Sequence, residues 1–208
     1  MSSQPRRAPT GAAVLQPDVT SAITEAVLDE LAEHGYGRLA MEVVAKRAGV
    51  GKSALYRRWA SKEEMVLAVL SEFSVPLADV PDTGSLAGDV RAFVAAVHGW
   101  LTHPRFSRIL PDLVAESARS PALAAAGQAA IGEPRRAYLI TALRRAIDRG
   151  ELPADLDLEM AGDLLAAPIY WRLTVRGSTA EPGYLDTLTE FVLRALGAHP
   201  PARPPYRG

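Results

Sequence analysis

The chain has 208 residues, 48% of them apolar and 23% charged, with a formal net charge of −1. That balance is ordinary for a globular protein with a sizeable core in one or two domains. It contains no cysteine, which excludes disulfides, thiolate metal sites and cysteine nucleophiles and fits a reducing, cytoplasmic location.

Residues 1–16 are rich in Pro, Arg, Ser and Gly without periodicity and read as a disordered arm, lacking the apolar centre of a signal peptide. From Asp18 apolar residues recur at Val19, Ile23, Ala26, Val27 and Leu31, which is helical spacing, and Gly35 closes the helix. A short helix over Met41–Ala48, a turn at Gly49–Val50–Gly51 and a second short helix over Lys52–Trp59 follow. Ser61 and Glu64 form a capping box, so a fourth helix begins there and runs to about Phe73, burying Met65, Val66, Val69 and Leu70. Pro76, Pro81 and Gly84 break the pattern and mark a domain boundary.

The chain beyond is helical again. Leu86–Thr102 carries apolar residues at helical spacing. Pro104–Arg119 follows, with Pro111 as an expected kink. Pro121 to about Arg149 is Ala-rich and interrupted near Gly132–Pro134. Leu158–Arg176 is strongly apolar, and Pro182–Leu196 is the last helix. The tail HPPARPPYRG reads as extended. No strand pattern and no run long enough for a membrane span occurs. The fold class is therefore all-α. Four parts are expected: the arm at 1–16, a helical domain at 17–74, a second helical domain at 84–197 and a Pro-rich tail at 198–208.

The stretch GVGKS, Gly49–Ser53, matches the end of a phosphate-binding loop. The full motif requires glycine where this chain has Lys46, and a strand where it has the helix-favouring MEVVAKRA. A nucleotide hydrolase is disfavoured on both counts. Two short helices about a three-residue glycine turn instead form a helix-turn-helix. Its second helix would enter the major groove of DNA with its N-terminal residues near base edges. Charge agrees: residues 35–62 hold seven cations, including all three lysines of the protein, against Glu42 alone.

The segment LAMEVVAKRAGVGKSALYRRWASKEEM, Leu39–Met65, resembles the DNA-binding domain of TetR-family transcriptional repressors. Ala48, Gly49, Val50, Leu55, Tyr56, Ser61, Lys62 and Glu63 match the family hallmark, with Trp59 for the usual Phe and Met65 for the usual Leu. Ala40 stands where the family often has Thr or Ser, and Gly51, Ser53 and Ala54 replace commoner Ser, Gly and Thr. The resemblance implies an N-terminal three-helix DNA-binding domain and a C-terminal ligand-binding and dimerisation bundle. It implies that the Tyr56 hydroxyl and Lys62 reach backbone phosphates. Lys52, Arg57 and Arg58 are the further cationic candidates, and Ser53 and Ala54 the candidates for base edges.

In the C-terminal part the resemblance implies a small-molecule pocket. Trp100, His103, Phe106, Tyr138 and Trp171 are its candidates, with His98 as an alternative hydrogen-bonding group. The two last long helices are the expected dimer interface, through Leu164, Leu165, Leu185, Leu188, Phe191 and Val192. His34, His98, His103 and His199 have no metal-ligand spacing, and no catalytic cluster or cofactor motif stands out. Neither a metal, a cofactor nor an enzyme is expected. The reading is a homodimeric repressor of double-stranded operator DNA, released from a palindrome by a largely apolar effector. An activator or a ligand-independent regulator is the alternative.

Overall fold

A computed structural model describes residues 17–79 and 81–198. The expectations for the arm at 1–16 and for residues 199–208 lie outside the described residues. All regular structure in the described residues is helical.

The first helix, α1 (Pro17–Arg38), carries one break, at Gly35, whose φ of 77° and ψ of 167° leave the helical region. Only glycine enters this region without steric cost. Beyond α1 come α2 (Met41–Arg47), α3 (Lys52–Tyr56) and α4 (Lys62–Ser74). The expected capping box at α4 is half formed. Ser61 Oγ accepts the Glu64 N–H at 3.0 Å, while the Glu64 carboxylate accepts the N–H of Ala60 at 2.7 Å rather than that of Ser61. By contrast α2 starts at Ala40 without any side-chain cap. Together α1–α4 bury Ile23, Val27, Leu28, Val44, Leu55, Met65 and Val66 in one head core.

A single 3₁₀ turn, Pro76–Ala78, leads to α5 (Leu86–Thr102), α6 (Phe106–Arg119), α7 (Pro121–Gly127) and α8 (Glu133–Asp148). Between α7 and α8 the helix continues through a widened π turn, Gln128–Gly132. Pro134 has no N–H to offer the carbonyl of Ala130, four residues back. Ser71 Oγ of α4 supplies the missing donor at 2.9 Å. The expected interruption is thus a change of pitch within a continuous helix. The same device recurs after Pro168, where α9 (Leu158–Tyr170) runs on through a π turn, Trp171–Val175. The last helix, α10, spans Tyr184–Ala195. Val90, Val94, Leu143, Leu165, Ile169 and Val192 build the second core from α5, α8, α9 and α10.

The two cores meet through α6. By sequence it belongs to the C-terminal part, yet it buries Phe106 and Ile109 in the head core. Phe106 stacks on Phe73 of α4 with ring centroids 4.9 Å apart, and lies 5.4 Å from Trp100 of α5. Asp112 of α6 accepts the Tyr36 N–H at 2.7 Å, directly after the break in α1. Arg105, just before α6, pairs with Glu25 at 2.6 Å and Asp29 at 2.8 Å on α1.

Candidate functional site

The turn between α2 and α3 is set by Gly49, at a φ of 66°. Its N–H reaches Lys46 O at 3.2 Å, and the Val50 N–H reaches Ala45 O at 3.0 Å, so the chain reverses within three residues. Val50 and Trp59 pack half-buried against the head core, and Leu55 sits fully inside it. Leu55 thus fixes which face of α3 turns outward. This helix ends at Tyr56, with Arg57 and Arg58 in the turn that follows rather than in the helical run expected to Trp59.

Ser53, Tyr56 and Arg57 are exposed on this face, and Ala54 is half-buried. Lys52 is exposed too, but its ammonium is ion-paired with Glu42 of α2. The hydrogen bond between them raises the Lys52 pKa and lowers that of Glu42. Arg58 turns back into the head, donating from Nη1 to Thr20 Oγ1 of α1 at 3.2 Å. Lys62 is half-buried. Its Nζ donates to the Tyr36 carbonyl at 3.0 Å and lies 4.4 Å from the centre of the Tyr36 ring. A cation at the head of a helix opposes the helix dipole, and the Tyr36 carbonyl and ring offset that cost here.

The basic window is also reduced from within. Arg47 faces α1, where it pairs with Glu30 at 2.8 Å and Glu33 at 2.6 Å. Among the described residues, Arg38, Lys46 and Arg57 are the window's cations with neither an ion pair nor a side-chain hydrogen bond, while Arg58 and Lys62 bond only to neutral groups. Glu30, Glu33 and His34 come close enough to share a cation, but the Arg47 guanidinium already occupies two of them.

The C-terminal part holds a cavity of about 460 Å³, open on one side, between α5, α8 and α9. Its apolar wall comes from Phe93, Val97, Trp100, Leu101, Leu139 and Tyr170. Of the five residues expected there from sequence, Trp100 lines it. His103 is withdrawn into the junction with the head, its ring 5.3 Å from that of Phe73. Phe106 is consumed by the head core, because α6 turns it toward α1 and α4. Tyr138 and Trp171 point outward, 39% and 58% exposed, because helical periodicity puts them on the faces of α8 and the α9 extension away from the core. His98 is half-buried on α5 and is not part of the cavity wall.

The polar lining includes Arg135, Arg136 and Asp163. Arg136 is ion-paired at the rim with Glu159 and with Asp163 at 3.4 Å, although its Nε has no hydrogen-bond partner. Arg135 stands apart: its contacts among the described residues are the Ser74 carbonyl, to which Nη1 donates, and the Trp100 ring, 4.3 Å away. Burial lowers its pKa to about 10, so it remains a cation at neutral pH. Trp100 Nε1 is buried with no hydrogen-bond partner. Arg135 was not singled out from sequence. The signal was there, since it lies in line with Leu139, Ala142 and Ala146 on the buried face of α8.

The six dimer candidates divide. Leu165 and Val192 are 1% exposed and Leu188 8%, so their side chains are spent inside their own subunit. Leu164 and Leu185 are half-buried, and Phe191 is 60% exposed. Met160, Trp171 and Val175, at helical intervals along α9 and its extension, are exposed as well.

A helix-turn-helix head keyed to an all-helical body with an apolar cavity is the architecture of a DNA-binding transcriptional regulator. Residues 23–69 match the family of bacterial regulatory proteins, tetR family, and residues 80–192 match the tetracyclin repressor-like C-terminal domain. The chain belongs to the TetR family. It is 30% identical over 181 residues to the DNA-binding transcriptional repressor TetR of Mycobacteroides abscessus, covering 85% of this chain and 93% of that one. The crystal structure of the TetR family transcription regulator SCO0332 superposes with a TM-score of 0.69 at 28% identity, over 85% of this chain and 97% of that one. The fold is also that of the transcriptional regulator FadR from Bacillus subtilis, solved in complex with stearoyl-CoA, with a TM-score of 0.68 at 19% identity, over 85% of this chain and 97% of that one. No helix among the described residues is long and apolar enough to cross a membrane.

Proposed function

We propose that the protein is a cytoplasmic, homodimeric repressor that binds a palindromic operator through α3 and leaves it when a small, largely apolar molecule fills the cavity between α5, α8 and α9. The observation that carries this is the pairing of an outward α3 face, bearing Ser53, Tyr56 and Arg57, with a cavity whose wall is apolar. Its volume suits a small ligand. Base-edge contacts fall to Ser53 and Ala54, and phosphate contacts to Tyr56, Arg57 and, once Glu42 releases it, Lys52. Lys62 reaches a phosphate only with the donors that Tyr36 leaves free. Arg58 acts by fastening α3 to α1. Two-fold pairing along α9 and α10 sets the two α3 helices about 34 Å apart or a multiple of it, hence the palindrome.

The liganded FadR relative supports a body that receives small molecules. The test is a gel shift on DNA upstream of the protein's own gene, followed by footprinting. A protected palindrome, with protection lost in Arg57→Ala, is expected. Protection of an asymmetric site would count against the dimeric arrangement.

A further inference from the structure

The cavity wall holds a cation that no carboxylate among the described residues answers. Arg135 has five N–H donors, and its partners among the described residues are one carbonyl and one aromatic face. No carboxylate among those residues pairs with it. Its neighbour Arg136, by contrast, takes both acids at the rim, Glu159 and Asp163. A second donor, Trp100 Nε1, is buried and unused close to the same guanidinium. Buried cations and donors are normally matched, because leaving them unmatched costs free energy. The mismatch falls on the wall of a cavity whose other charged lining groups, Arg136 and Asp163, pair with each other and whose remaining wall is apolar.

We propose that the effector is an amphipathic anion whose acidic group is received by Arg135, with Trp100 Nε1 as an accompanying donor, and whose apolar part lies against Phe93, Val97 and Leu139. This rests on the effector reading of the cavity above. The guanidinium suits a carboxylate, which it can engage through two parallel hydrogen bonds. Its present acceptor gives the contact a consequence. The Ser74 carbonyl ends α4, the helix that follows the helix-turn-helix, and Ser74 is fully buried. An anion that draws Arg135 into the cavity takes away the donor at that buried helix end, which disfavours the head position seen here. Occupancy of the cavity and the placement of α4 are then linked through one side chain.

The test compares acids with neutral partners of the same shape. Octanoic and decanoic acids are titrated against their methyl esters, and naphthoate against naphthamide, with binding read by tryptophan quenching and calorimetry. At least one acid is expected to bind about 10- to 100-fold more tightly than its neutral partner. Arg135→Gln should erase that preference, Arg135→Lys should keep part of it, and Trp100→Phe should weaken it. The proposal is overturned if no acid binds, if the neutral partners bind as well, or if Arg135→Gln keeps the preference. The Arg135→Lys variant and the pairs on the unaltered protein retain the test should Arg135→Gln fold poorly. Neutral partners that bind and release operator DNA would sink the anion and leave the effector reading intact. An acid held by Arg135 without any effect on DNA binding would keep the site and sink the effector reading.

Discussion

Asp112 on α6 accepts the backbone N–H of Tyr36 at 2.7 Å, and so holds the chain at the one point where α1 breaks. A Cβ built on Gly35 would come within 2.8 Å of Asp112 Oδ1. The break, the absent side chain and the acceptor are thus parts of one joint between head and body. Asp112→Ala should cost about 1–3 kcal/mol in denaturant unfolding, the range for a charge-assisted bond whose donor is left unmatched. Gly35→Ala should cost more in the unaltered protein than beside Asp112→Ala, which removes the clash but not the strain at positive φ. Equal costs in both backgrounds would show that the close approach has no energetic weight.

Arg57 and Arg58 are adjacent in sequence and differ in setting: Arg57 is exposed and Arg58 is half-buried and bonded to Thr20. Arg57→Ala should weaken operator binding and leave the melting temperature unchanged, lowering the salt slope by about 1 if it meets a phosphate. Arg58→Ala should lower thermal stability through loss of its bond to Thr20. Reversed effects, with Arg57→Ala destabilising and Arg58→Ala silent in stability, would overturn the division.

The helix-turn-helix was legible because its features are local. A glycine turn, a capping serine and the spacing of Val44, Leu55 and Met65 each act within a few residues of chain. The helices of the body were legible for the same reason, through period and proline. What could not be read was which side of an amphipathic element meets which neighbour. Phe106 reads as pocket lining because α6 follows α5, but the helix turns that face to α1 and α4. Leu188 and Phe191 look equivalent on α10, yet one faces the core and the other solvent. Ion pairs between elements were equally hidden. Arg47 reads as part of a DNA-facing cluster until α1 brings Glu30 and Glu33 against it.

In the proposed operator complex Glu42 competes with a phosphate for Lys52. Both are exposed, so the pair itself contributes little stability. A phosphate must still displace the carboxylate and approach its charge. Glu42→Gln should therefore tighten operator binding by a few-fold at most at low salt, since an exposed pair of this kind is weak. The gain should shrink as salt screens the exposed charges. Unchanged or weaker binding at low salt would mean that Lys52 does not meet a phosphate.

Asp89 gives the body a defined acid sensitivity. Burial pushes its carboxyl pKa up, but donors from Thr83, at 2.8 and 2.7 Å, and from Arg149, at 3.0 Å, outweigh it and leave the pKa below its ordinary 3.8. The folded state then favours the ionised form. Its contribution is present in full above pH 3.8 and is lost as pH falls through the lower folded value. Asp89→Asn should lower stability at neutral pH and flatten the decline below pH 3.8 in urea unfolding at graded pH. An unchanged slope there would assign the acid sensitivity to other groups.

The exposed face of α9 and α10 separates two mutations that sequence alone would treat alike. Leu188 is 8% exposed and Phe191 60%. A glutamate at Leu188 would place a charge in the core shared with Val192 and Leu165, where its desolvation has no partner to offset it. Leu188→Glu should therefore lose cooperative folding, and any loss of dimer would report that collapse. Phe191 stands outside its own core, its ring 4.5 Å from the Arg194 guanidinium carbon, so glutamate there is tolerated by the monomer. If Phe191, Met160 and Trp171 are the surface that a second subunit covers, Phe191→Glu should sediment as a folded monomer with an unchanged helical spectrum. It should also bind a full palindrome no better than a half-site, because the second head is no longer tethered to the first. A Phe191→Glu protein that remains dimeric would move the interface off this face of α10.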